Sequence, residues 1–100
     1  PSISPTAIFA TNNLMTIGVM RALQDKGVKC PEEMAVVGFD DFEWASAFRP
    51  FLTTVAQPVY ELGKTAAETL VGRIKGKGGR TRRVILEPQL NVRESCGAML

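Results

Sequence analysis

The sequence predicts an α/β protein built on a parallel, Rossmann-like sheet, and three consecutive segments support this fold class. The runs Thr6–Ala10 and Met34–Phe39 are continuously apolar, as in strands that are covered on both faces. Between them, apolar residues recur at helical spacing over residues 13–26, with Asn12 suited to the N-cap and Gly27 to the position after the helix. Strand, helix and strand in this order form a βαβ unit, in which the two strands run parallel.

The remaining chain predicts shorter elements and one further helix. Residues 42–48 suit a short helix, and Leu52–Val55 is a β-branched third strand. A second helix is expected over Val59–Ile74, where apolar residues form one stripe. Arg83–Leu86 and Leu90–Arg93 are expected to be two further strands.

The composition excludes several function classes. The chain has 100 residues, 45% apolar and 22% charged, with a net charge of +2, which is typical of a globular protein and gives no nucleic-acid signal. No apolar run is long enough for a membrane span, and the start lacks signal-peptide features, so a cytoplasmic protein without membrane contact is expected. With no histidine and two distant cysteines, Cys30 and Cys96, no catalytic triad or zinc spacing can be built.

A magnesium site is the metal-binding alternative for the acidic group Asp40, Asp41 and Glu43. Such a site also needs a phosphate-bearing partner and a reacting group, for which the sequence offers no motif. We therefore predict no enzyme activity, no catalytic residue, no metal and no cofactor.

Polar side chains follow the first two predicted strands. Asn12 and Asn13 come after the first strand, and Asp40 and Asp41 after the second. Carboxyl ends of parallel strands share one edge of the sheet, where open α/β sheets bind ligands. Asn12 and Asp40 together offer donors and acceptors for hydroxyl or ring NH groups. The alternative is that Asn12 only caps the helix and Asp40 is an ordinary loop residue.

Four segments of the chain resemble a known family. Residues 5–15, PTAIFATNNLM, are similar to a "PTAIFAxNDxMA" motif, and residues 31–41, PEEMAVVGFDD, to "PEDVSVVGFDD". Residues 52–58, LTTVAQP, and residues 92–96, VRESC, resemble its "LTTVxQP" and closing "VRESC" motifs. The family is that of the LacI-type (lactose/galactose-repressor) bacterial transcription regulators. The resemblance implies the type I periplasmic-binding-protein fold of two α/β lobes, of which this chain would be a C-terminal fragment.

The resemblance also assigns residues to roles. Positions matching Asn12 and Asp40 contact the effector in the family, whereas Asn13 stands where the family has Asp. Gln57 matches a position near the crossing between lobes, so it either reaches the cleft or serves the hinge.

The family segment that corresponds to Phe48, Pro50 and Phe51 helps to form a dimer interface. The alternative for these three residues is ordinary burial. Trp44 either stacks on a ligand ring or packs in a core or interface.

The domain organisation follows from the same resemblance. Residues 1–57 would belong to the C-terminal lobe, residues 58–87 would supply a crossover helix and strand of the other lobe, and residues 88–100 would form the final strand and tail. The stripe of the second helix would then lack its own sheet, so a lone 100-residue monomer is expected to be unstable.

The predicted function is a small-molecule effector-binding segment, most simply for a sugar, of a homodimeric LacI-type regulator. Operator DNA would be bound only through an N-terminal helix-turn-helix absent from this chain. The alternative is a periplasmic sugar-binding protein of an ABC transporter, which shares the fold and the cleft. The preceding residues, a helix-turn-helix or a secretion signal, would separate the two.

Overall fold

The structure is a computed structural model that describes residues 4–99. The chain forms two compact units: one combines the residues up to 56 with those from 89 onward, and the other spans residues 57–88. The first unit carries the sheet and the first helix, and the second carries the other helix.

A four-stranded sheet forms the first unit. Its strands are β1 (Ala7–Ala10), β2 (Ala35–Phe39), β3 (Thr53–Ala56) and β4 (Gln89–Asn91), in that spatial order. β1, β2 and β3 are parallel, whereas β4 runs antiparallel to β3. The predicted α/β class with a parallel sheet is confirmed, and the final strand adds one antiparallel edge.

Helix α1 (Asn13–Lys26) has the bounds that its sequence predicts. Gly27 adopts the left-handed conformation with φ 69°, and its N–H donates to the carbonyls of Gln24 and Leu23. The face that α1 buries carries Thr16 and Met20.

The apolar core is small and lies between α1 and the sheet. Its buried members are Met20, Val36, Ala45 and Leu52. Ala45 belongs to a 3₁₀ turn, Glu43–Ser46, which is shorter than the helix expected over residues 42–48. This turn therefore contributes one small core side chain rather than an amphipathic face.

Ser95 joins the chain end to the middle of the sheet. Its hydroxyl donates to the Val36 carbonyl at 2.6 Å and accepts from the Thr53 N–H at 2.8 Å. The Ser95 carbonyl accepts from the Val36 N–H at 2.8 Å. Ser95 is fully buried, so these bonds satisfy polar groups that would otherwise be costly.

In the second unit, helix α2 (Val59–Ile74) also has its predicted bounds. None of its described residues is buried, and its apolar side chains are open to solvent: Val59 is 70% exposed, Leu70 60% and Ile74 75%. That this stripe belongs to another lobe stays a prediction.

The prediction of a strand over Arg83–Leu86 is wrong, because the structure has no strand at those residues. A strand is stabilised by backbone bonds to a neighbour, and the described sheet pairs none of its strands with this segment. Ile85 is 80% exposed, as expected of an apolar segment without a pairing partner.

Candidate effector site

Asn12 lies immediately before α1 and caps it. Its Oδ1 accepts the Met15 N–H at 2.8 Å, and its carbonyl accepts both the N–H and the hydroxyl of Thr16 at 2.9 Å and 2.8 Å. Asn12 therefore caps the helix, and its contact with an effector stays a prediction. The cap uses only the side-chain oxygen, so the exposed carboxamide keeps an NH₂ group with two donors.

Asp40 follows β2 directly and has an unusual backbone. Its φ of 74° makes it the one non-glycine residue with positive φ in the described chain. Asp tolerates this left-handed conformation better than most residues, although it still costs about 1–3 kcal/mol. The Asp40 N–H donates to the Val55 carbonyl at 2.8 Å, which ties the residue to β3.

The register of β1 against β2 brings both residues to the same edge. Ala10 pairs with Gly38, and Asn12 and Asp40 each stand two residues beyond this pair. Both therefore lie at the carboxyl ends of adjacent parallel strands, where the sequence predicts a ligand edge. That their polar groups face one cleft remains a prediction.

Asp41 is the centre of a polar cluster that sequence reasoning did not identify. The guanidinium of Arg93 donates to both carboxylate oxygens of Asp41, from Nη1 to Oδ1 at 2.9 Å and from Nη2 to Oδ2 at 3.0 Å. The Thr54 hydroxyl donates to Oδ1 at 2.7 Å, and Asn91 Nδ2 donates to Oδ2 at 3.1 Å. We call these four residues the Asp41 cluster.

The electrostatics of this cluster favour the ionised carboxylate. The hydrogen bond from Arg93, above all, lowers the pKa of Asp41 from 3.8 to about 2. Burial opposes this shift, and the hydrogen bond from Thr54 lowers the pKa by a smaller amount. Arg93 Nη1 also donates to the Leu52 carbonyl at 2.7 Å, which fixes the guanidinium. At neutral pH the cluster therefore contains a hydrogen-bonded ion pair.

Asn13 and Gln57, two other polar residues singled out from sequence, have different surroundings. The Oδ1 of Asn13 is buried without a hydrogen-bond partner among the described residues. Gln57 follows β3, opens the second unit and is half-buried. Its part in the cleft or the hinge stays a prediction.

The segment predicted to form a dimer interface is half-buried at Phe48, Pro50 and Phe51. The ring of Phe48 meets Phe42 edge to face at 6.2 Å, and the guanidinium of Arg49 lies 4.1 Å above the Phe51 ring. Phe48 also packs against the core, which fits the alternative of ordinary burial. The interface role stays a prediction for all three.

Trp44 is 63% exposed in the 3₁₀ turn. Core packing is thus wrong for this indole, whereas stacking on a ligand or burial in an interface stays open.

The described side chains offer no metal site, and the described helices offer no membrane span. Over residues 4–99, no three Cys, Asp or Glu side chains converge in a way that would hold a metal ion. Neither α1 nor α2, the helices of that range, is long and apolar enough to cross a membrane.

One protein family matches almost the entire chain. Residues 1–96 match the family described as a periplasmic binding protein-like domain.

Two curated relatives are transcription repressors. The chain is 40% identical over 94 residues to the ribose operon repressor of Haemophilus influenzae, covering 94% of this chain and 28% of the relative. It is 44% identical over 91 residues to the HTH-type transcriptional repressor PurR of Vibrio cholerae, covering 91% of this chain and 27% of the relative. The chain thus spans little more than a quarter of the length of these relatives.

A solved structure of a ligand-bound regulator has the same fold. The LacI family transcriptional regulator from Enterococcus faecium with bound ribose superposes with a TM-score of 0.85 at 31% identity, covering 98% of this chain and 37% of that one.

Proposed function

We propose that this chain binds a small polar effector. The chain belongs to the periplasmic binding protein-like domain family, and its relatives include a LacI family transcriptional regulator and a ribose operon repressor. The observation that carries the proposal is the placement of Asn12 and Asp40 at equivalent register positions on the carboxyl edge of β1 and β2. An amide donor beside a carboxylate acceptor suits a hydroxyl-rich ligand. A sugar is the effector class we favour, since a solved relative carries bound ribose.

The regulatory role is proposed for the longer protein to which such a domain belongs in its relatives. Both curated relatives cited are repressors, and their names describe no transporter component. We therefore favour a cytoplasmic, homodimeric repressor that binds operator DNA through a separate helix-turn-helix over a periplasmic sugar-binding protein. Effector binding would change lobe geometry and hence operator affinity.

The two units fit a two-lobe assignment. Residues 1–57 would belong to the C-terminal lobe and residues 58–87 to the other lobe, with residues 88–100 supplying the final strand and tail. The division of the chain at residues 57 and 88 supports this assignment, as does the pairing of β4 with β3 in the first unit.

A binding experiment on the full-length protein tests the effector site. Purified protein is screened by thermal shift against D-ribose, D-glucose, cellobiose, lactose, adenine and hypoxanthine, and hits are measured by calorimetry. In Asp40→Ala we expect affinity for a hit to fall by about 1–3 kcal/mol, since a ligand hydroxyl or NH would lose its buried acceptor. Glu43→Ala, an exposed carboxylate three residues along the chain, is the matched control.

The outcomes separate the proposals. Equal affinity of Asp40→Ala and wild type, with both folded, would show that Asp40 is only a loop residue. A gel-shift assay on DNA upstream of the protein's own gene, with and without the hit, separates the regulator from the transporter component. Failure to bind that DNA under either condition would favour the transporter component.

A further inference from the structure

The Asp41 cluster is more elaborate than one surface ion pair. Its carboxylate receives two bonds from Arg93, one from Thr54 and one from Asn91, so both oxygens are used twice. The donors come from β3, from β4 and from the residue two positions after β4. One carboxylate thus joins the loop after β2 to two other strands.

Stability alone is a weak reason for such a cluster. The side chains of Arg93 and Asp41 are 23% and 30% exposed, and ion pairs near water contribute little to folding. A bidentate guanidinium, by contrast, fixes direction as well as distance. The geometry therefore points to a role in orienting the chain.

The residue that would be oriented is Asp40. It is bonded covalently to Asp41 on one side, and its own N–H is held by the Val55 carbonyl at 2.8 Å. Its left-handed φ of 74° is a conformation that persists only when its surroundings enforce it. The Val55 carbonyl thus holds the chain at Asp40 itself, and the Asp41 cluster holds it at the next residue.

Charge gives the cluster a second effect on the site. Asp41 follows Asp40 directly, and its lowered pKa of about 2 makes it an anion at neutral pH. Arg93 lies 2.9 Å from the Asp41 carboxylate and neutralises it. The charge of Asp41 is thus held in an ion pair within the cluster.

We propose that Asp41 is a positioning residue, clamped by Arg93, Thr54 and Asn91, that holds Asp40 in its left-handed conformation for effector binding. Its part in ligand affinity rests on the proposed function. Its part in holding the backbone does not.

The principal test uses Asp41→Asn in the full-length protein. The new NH₂ group would oppose the donors Arg93 Nη2 and Asn91 Nδ2, or would meet Arg93 Nη1 and Thr54 Oγ1 if the amide were flipped. We expect the Kd for the sugar or nucleobase hit to rise on the order of tenfold, the value of about one lost charge-assisted bond. The thermal midpoint should fall by only a few degrees. Glu43→Gln, which removes a nearby exposed carboxylate, should leave the Kd unchanged.

Backbone hydrogen exchange gives a readout that needs no ligand. In Asp41→Asn the Asp40 amide should exchange roughly tenfold faster, while amides of α1 keep their wild-type rates, because local opening is separable from global unfolding.

A second pair of variants guards against a folding defect. Thr54→Ser keeps the hydroxyl donor and should preserve both Kd and exchange, whereas Thr54→Val removes it and should change both in the direction of Asp41→Asn. Rescue by serine separates the hydrogen bond from packing, because Thr54 is fully buried.

Each result decides between the two proposals. If wild type binds a hit and Asp41→Asn binds it equally well, Asp41 is not a positioning residue and the effector site stands. If wild type binds none of the probes, the proposed sugar or nucleobase effector fails. Unchanged exchange at Asp40 in Asp41→Asn would then overturn the positioning role, and accelerated exchange would support it.

Discussion

Gly38 of β2 lies against Thr16 of α1, and replacing Gly38 with alanine probes how tightly the two elements pack. A Cβ built on Gly38 would stand 2.8 Å from Thr16 Oγ1 and 3.0 Å from Thr16 Cγ2. Contacts below 3.0 Å force atoms to move, and Thr16 is fully buried. Its hydroxyl is also committed to the Asn12 carbonyl at 2.8 Å.

The expected cost follows from these contacts. Overpacking a tight core costs about 1–3 kcal/mol. The less flexible unfolded chain of an alanine variant returns about 0.4–1 kcal/mol, because the φ of Gly38 is compatible with alanine. We therefore expect Gly38→Ala to lower the free energy of unfolding by about 1–2 kcal/mol.

The assay is thermal unfolding by circular dichroism of the full-length protein at matched concentration, where 1 kcal/mol corresponds to about 2–4 °C. Gly18→Ala is the matched control: it lies within α1 with no atom within 4 Å of the added Cβ. Because alanine is the better helix former, this control should stabilise by about 0.5–1 kcal/mol.

A double mutant identifies the cause. Thr16→Ala removes the two closest atoms and leaves its Cβ at an ordinary distance of 3.4 Å. Only the gain of about 0.4–1 kcal/mol should then remain for Gly38→Ala, so the coupling energy equals the overpacking cost of about 1–3 kcal/mol. If the two changes add without coupling, or if Gly38→Ala alone is neutral, the inferred close packing of β2 against α1 is wrong.

Two further predictions concern acid and association. Because the folded pKa of Asp41 is lowered from 3.8 to about 2, its pairing stabilises the fold above about pH 4 and is lost as the pH falls towards 2. The shift corresponds to about 2.4 kcal/mol at most, which solvent screening of this exposed pair reduces to about 1 kcal/mol. Wild type and Asp41→Asn should therefore differ at pH 6 and converge near pH 2 in urea unfolding, and a constant difference would contradict the pairing. The 100-residue polypeptide alone should either associate or have a low melting temperature. The reason is that the exposed side chains of Val59, Leu70 and Ile74 on α2 would each gain about 1.5–3 kcal/mol on full burial. A monomer in light scattering that is compact and unfolds cooperatively would contradict this prediction.

Local patterns predicted the helices well. The bounds of α1 and α2 agree because caps, apolar spacing and breakers are all encoded within each segment. The strand expected over Arg83–Leu86 failed because apolar, β-branched composition cannot specify a pairing neighbour. The antiparallel direction of β4 could not be predicted from its sequence either, since strand direction depends on the path of the chain between β3 and β4.

The same distinction between local sequence pattern and tertiary pairing applies to the candidate site. Asn12 and Asp40 could be placed from sequence because each follows a strand of one βαβ unit, and parallel pairing alone then puts them at one edge. The partnership of Asp41 with Arg93 spans 52 positions, and it exists only because β4 returns beside β3. Motifs thus locate the groups that would touch a ligand, whereas the groups that orient them depend on tertiary pairing. A variant of Arg93 or Asn91, far from Asp40 in sequence, should for this reason alter effector affinity through the backbone of Asp40 rather than through contact with the ligand.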